Sequence, residues 1–126
     1  MNFMDLTGFI DQQKQALVDL LVLGMYADGN LDLIEDEKAR RVLDGIQFSS
    51  DSARQYFIDG SFARARKHGS SPESTRNYVA EIDKAFPTPA MRRQVYTALE
   101  DSLTSDRKMA DKECELLLIV SEEFKL

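Results

Sequence analysis

The stretch ALVDLLVLGMYA, Ala16–Ala27, carries a single charge, Asp19, in twelve residues. Its apolar side chains fall on every side of a helical wheel rather than on one stripe. A helix that is apolar almost all round must be enclosed by other elements, so this segment is expected at the centre of the fold. It falls well short of the eighteen or so uncharged apolar residues that a membrane span needs, and no other stretch approaches that length, which argues against an integral membrane protein.

Working outward, every further segment has helical periodicity, and nowhere is there a sustained apolar–polar alternation of the strand kind. Gly29 stands where a helix C-cap glycine belongs. A second helix is expected over about Leu33 to Ile46, with Ala39, Val42, Leu43 and Ile46 on one stripe. A third runs from about Asp51 to Lys67 through Ala53, Tyr56, Phe57, Gly60 and Ala63, and closes with Arg64, Arg66, Lys67 and His68 where they suit the helix dipole. Ser71, Pro72 and Glu73 read as N-cap, first-turn proline and first-turn acid of a fourth helix. That helix buries Tyr78, Val79, Ile82 and Phe86 and stops at Pro87-Thr88-Pro89. Thr88 caps a fifth helix to about Leu103, and a sixth spans about Asp111 to Phe124.

A repeat lies within this string. A shift of 78 residues pairs Leu17 with Val95, Val18 with Tyr96, Leu20 with Ala98, Leu21 with Leu99 and Met25 with Leu103. Beyond the turn it pairs Leu31 with Met109, Ala39 with Leu117, Val42 with Val120 and Ile46 with Phe124. Gly24 falls on Ser102, both small enough for close helix approach. Asp28 falls on Asp106 and Glu35 on Glu113, so the same acid pair recurs at the turn of each helix hairpin. The expected fold is therefore all-α: a compact single-domain bundle of about six helices over residues 1–126, with two pseudo-twofold-related hairpins joined by two connecting helices.

Composition narrows the chemistry. The 126 residues are 43% apolar and 30% charged, a globular balance. One histidine, His68, and no tryptophan leave no histidine-rich metal site, and a Ser-His-Asp triad could form only around that residue. No GxxxxGK[ST] and no GxGxxG supplies a phosphate cradle. One cysteine, Cys114, makes neither an internal disulfide nor a CxxC site; it reads as a partly buried structural cysteine, because the neighbouring Glu113 carboxylate blunts a thiol. With Asp5 and no basic cluster, Met1 to Phe9 does not read as a secretory signal, and a cytoplasmic location is expected.

The net charge is −6, unevenly spread. From Ala53 to Arg93 there are eight Lys/Arg against four acids, while the two flanks together hold eight bases against eighteen acids. Such a basic middle can meet an anionic partner, or can be an ordinary solvated helix surface. Nucleic acid is not expected at a sequence pI near 4.8 without a recognition motif.

The first acidic turn runs Asp28-Gly29-Asn30-Leu31-Asp32-Leu33-Ile34-Glu35. Asp28, Asn30 and Asp32 have the opening spacing of an EF-hand loop. Leu33 then stands where that loop requires glycine and Ala39 where it requires glutamate, so an EF-hand is rejected. Asp32 with Glu35 also forms a capping box, which by itself justifies both acids. In the second hairpin Ala110 replaces Asp32, yet Glu113 is kept. Asp28 and Asp106 sit unfavourably for the helix dipole, so an amide or a cation must stabilise them.

The turns YADGNLDLIE (Tyr26–Glu35) and LTSDRKMADKE (Leu103–Glu113) resemble the duplicated ADG-x-[IL]-x-x-x-E signature of the tellurite-resistance TerB and TerB-like family. The resemblance extends over about Gln12 to Phe124 and implies a compact, non-catalytic helical bundle whose paired acids chelate a divalent cation. The carry-over falls on Asp28, Gly29 and Glu35, and on Asp106 and Glu113; Arg107 departs from the glycine of the motif. Such modules occur in tellurite and other stress-response systems and attached to J-domain co-chaperones, so the family implies a scaffold more than a task. Two expectations follow. In one, Asp28, Glu35, Asp106 and Glu113 converge on calcium, magnesium, manganese or zinc. In the other, a metal-free adaptor docks on an acidic protein or an anionic membrane surface through Arg64 to Lys67, Arg92 and Arg93. The sequence does not set the oligomeric state.

Overall fold

The computed structural model describes residues 8–28, 37–103 and 111–126, with side chains at all of these except 28, 37, 38, 102 and 112. Six helices account for most of them: α1 (Asp11–Asp28), α2 (Glu37–Asp44), α3 (Asp51–His68), α4 (Pro72–Asp83), α5 (Pro89–Leu103) and α6 (Asp111–Glu123). No strand occurs among the described residues. The expected boundaries agree within a few residues wherever they can be compared; the start of the second helix, the Gly29 cap and the Asp32–Glu35 capping box lie outside the described residues.

Helix α1 is the axis of the bundle. It packs against α2, α3, α4, α5 and α6, and Leu17, Val18, Leu20, Leu21 and Val22 are fully buried. Each such aliphatic side chain contributes about 1.5–3 kcal/mol on leaving water, which is why an all-apolar helix is enclosed rather than laid on a surface. Around it, α2 presents Ala39, Val42 and Leu43, continued by Ile46, and α6 presents Leu116, Leu117, Ile119 and Val120, continued by Phe124. All of these belong to one continuous core.

Most residues paired by the 78-residue shift share their burial. Leu17 and Val95, Leu20 and Ala98, Leu21 and Leu99, Met25 and Leu103, Ala39 and Leu117, Val42 and Val120, and Ile46 and Phe124 are buried in both copies. Tyr96 is the exception, half-buried where Val18 is wholly buried. The surroundings are unequal, for α1 meets all five other helices while α5 packs chiefly on α1 and α6.

Caps follow the sequence. Ser50 Oγ accepts from the Ala53 amide at the start of α3, Ser71 Oγ from Ser74 at α4, and Thr88 Oγ1 from Met91 at α5. The face of α3 differs from expectation. Tyr56, placed on a core stripe, is 82% exposed, and Ser61 and Ala65 are the buried positions, flanked by half-buried Phe57, Ile58 and Phe62. The helix is rotated because a carboxylate on α1, described below, needs polar partners from α3.

Helices α1 and α5 approach closely at Gly24. A Cβ there would lie 3.0 Å from Leu99 Cδ1 and 3.2 Å from Leu103 Cδ2. Alanine gains about 1 kcal/mol of helix propensity, and these leucine ends are movable, so Gly24→Ala should leave stability nearly unchanged. Valine adds methyls that have no room, and Gly24→Val should lose about 1–3 kcal/mol, read as a lowered urea midpoint.

Candidate functional site

The four acids of the repeated turns are unequally described. Glu35, Asp106 and the Asp28 side chain lie outside the described residues. Asp28 is the last residue of α1, and Glu113 is the third residue of α6. Glu113 is only 1% exposed, whereas its helix neighbours Asp111, Cys114 and Glu115 all face solvent. A buried carboxylate is costly unless it is paired, so its inward position is a specific feature of this turn. As third residue of the helix it also occupies the place from which a capping-box glutamate reaches back to the N-cap. Among the described residues, no three His, Cys, Asp or Glu side chains gather where they could hold one metal ion.

The end of α1 and the first half of α6 nevertheless border one pocket. A pocket of about 250 Å³ is lined by Tyr26 and Ala27 from the end of α1, by Glu115, Leu116 and Ile119 from α6, and by the turn between α3 and α4. Gly69 makes that wall possible. A Cβ on it would sit 2.7 Å from Tyr26 Cδ2 and 2.7 Å from the Ala65 carbonyl oxygen.

A second polar centre lies deeper, between α1, α3 and α4. Asp19 Oδ1 accepts from Ser61 Oγ at 2.6 Å and from Arg64 Nη2 at 2.8 Å. Ser61 is 1% exposed, and the Arg64 guanidinium carbon lies 5.7 Å from the Phe57 ring centroid, within cation–π range. Partial burial alone would lower the Arg64 pKa, but the hydrogen bond and charge of Asp19 hold it above its ordinary value. The Tyr78 ring of α4 is buried and stacked on His68, 4.4 Å between centroids and 16° apart. His68 thus sits in the last turn of α3, as expected, but is also a packing surface. The Tyr78 hydroxyl has no hydrogen-bond partner. Its burial and the Asp19 charge raise its pKa to about 12, although nearby Arg64 opposes the shift. The signal for this centre in the sequence was Asp19, the lone charge in the stretch Ala16–Ala27.

One further expectation is corrected. Cys114 is exposed rather than partly buried, because it lies on the outer side of α6 while Glu113 turns inward. The basic middle is largely neutralised, since five of its eight cations are ion-paired. Arg54 pairs with Asp44, Arg64 with Asp19, Arg76 with Glu122 and Glu123, Lys84 with Glu81, and Arg92 with Asp83. Of the residues proposed for an anionic surface, Arg66, Lys67 and Arg93 remain exposed.

No family model, no curated protein and no solved structure matches the chain. The TerB-like resemblance therefore stands on the residues of the two turns.

Because the Tyr78 hydroxyl makes no hydrogen bond, Tyr78→Phe should be neutral or slightly stabilising at pH 7. A tyrosine whose folded pKa is raised above its unfolded value favours folding fully only below the unfolded pKa, and loses that advantage as pH climbs to the folded one. Between pH 10 and 12 the wild type should thus lose on the order of 2 kcal/mol more than Tyr78→Phe, measured by urea unfolding across that window.

Proposed function

We propose that the chain is a non-catalytic, TerB-like helical module in which Asp28, Glu35, Asp106 and Glu113 share one divalent cation. The observation that carries this reading is Glu113, a carboxylate almost wholly withdrawn from water at the turn of the second hairpin. Carboxylate oxygens are hard donors suited to calcium, magnesium or manganese, and four brought together would repel strongly without a cation. Bound there, the cation would tie the two hairpins to each other and make the fold respond to its supply. On this reading the module serves a tellurite or other stress-response system in the cytoplasm and works through a protein partner.

A metal-free adaptor is the second reading. It is favoured by the position of Glu113 as a capping glutamate and disfavoured by the neutralisation of most of the basic middle within the chain. Peripheral membrane contact would have to rely on Arg66, Lys67 and Arg93.

The test is thermal unfolding of chelator-stripped protein against calcium, magnesium, manganese and zinc, repeated on Asp106→Asn and Glu113→Gln. A ligand held only by the folded state adds about 2.7 kcal/mol at a hundredfold excess over its dissociation constant, several degrees in Tm for a domain of this size. A rise specific to one cation and lost in both variants is expected. No rise with any cation overturns the proposal and leaves the adaptor.

A further inference from the structure

The pocket between the end of α1, the α3–α4 turn and α6 has a chemistry of its own. Its floor is aliphatic, from Leu23, Leu116 and Ile119, and the Tyr26 ring forms one side. Two of the hydroxyls on its rim have committed their hydrogens, while Ser71 Oγ, which accepts from the Ser74 amide, keeps its own. Ser70 Oγ spends its only hydrogen on the Lys67 carbonyl at 3.2 Å. Thr75 Oγ1 spends its hydrogen on the carbonyls of His68 and Ser71, at 2.9 and 2.8 Å. Both oxygens are left with lone pairs alone, and the Glu115 carboxylate is an acceptor by nature.

The α4 N-terminus also borders the pocket, but part of its donor capacity is already committed. Pro72 has no amide hydrogen, the Ser74 amide is bound by Ser71 Oγ, and the Thr75 amide by the Ser71 carbonyl. From the other side, α1 presents its C-terminal, negative end at Tyr26 and Ala27. Apart from the Tyr26 hydroxyl, the one ionisable group among the described lining residues is negative. Acceptors, a carboxylate and a negative helix end together select a ligand rich in donors and positively charged, and an ammonium has three donors and no acceptor.

Size limits the rest of the ligand. A cavity of about 150 Å³ holds one benzene, so about 250 Å³ holds a ring or a short aliphatic body with a two- or three-atom arm. We propose that this pocket binds a small primary amine, with its apolar body on Leu23, Leu116 and Ile119 and its ammonium at Glu115, Ser70 and Thr75. Glu113, the one of the four acids whose side chain is described, does not line it.

The test uses the full chain, labelled at its methyl groups, in chelator so that no divalent cation competes. Phenethylamine is titrated beside 3-phenylpropionate, which has the same ring and the opposite charge. Saturable shifts of the Leu23, Leu116 and Ile119 methyls with the amine, and none with the acid over the same range, are expected. Since Glu115 is exposed, Glu115→Gln should fold normally and weaken amine binding about two- to fivefold. Equal binding of the acid, shifts located elsewhere, or no saturation by the amine overturns the proposal. Saturation of the same methyls by a lysine-containing peptide, with the free amine inert, also overturns it and assigns the site to a protein partner.

Discussion

The bond between Asp19 and its two partners on α3 constrains the whole bundle. From Ala16 to Ala27 the central helix is otherwise apolar, and the one carboxylate in that stretch is half-buried. A charge in that position must be matched by donors or it destabilises the helix that the other five pack on. Ser61 and Arg64 supply those donors, and in doing so they fix the rotation of α3 about its own axis. Phe57 is then carried beneath the guanidinium and Tyr56 into solvent. The position of α4 follows in part from the same event, because Tyr78 enters beside this centre and lies flat on His68.

Elsewhere the assembly rests on shape. Gly24 lets α5 come close to the axis, and Gly69 lets Tyr26 lie against the turn between α3 and α4. The charge asymmetry along the sequence resolves in the same three-dimensional arrangement. Acids from the flanks, at Asp19, Asp44, Glu122 and Glu123, reach the basic middle and pair with it. Exposed pairs of this kind contribute little each, about 0–1 kcal/mol, yet they leave less free charge for a partner than composition alone implies.

Helix positions were legible in the sequence because local rules govern them. The serine and threonine caps, Pro72 at the start of α4 and the Pro87–Pro89 break act within a few residues, and the repeat of buried positions follows helical period. The face of α3 was not legible. Tyr56 and Phe57 are both aromatic, and the choice between them depends on Asp19, more than thirty residues away in sequence. The outward position of Cys114 depends likewise on which side of α6 meets α1 and α4. Of the candidate site, the sequence singled out Glu113, whose burial stands out among exposed neighbours. The pocket was illegible, because it exists only where the end of α1, the α3–α4 turn and α6 come together.

One aromatic contact has a consequence for how such a fold can be joined to others. Phe86 touches Phe9, just ahead of α1, at 6.1 Å between ring centroids, and Phe124, just after α6, at 6.2 Å. The first and last helices therefore come together on a single side chain. A bundle arranged this way can interrupt a host chain at a surface loop, since the host need open only a narrow gap to admit it. Strain applied between the two junctions would then fall on the Phe86 cluster before it reached the central helix.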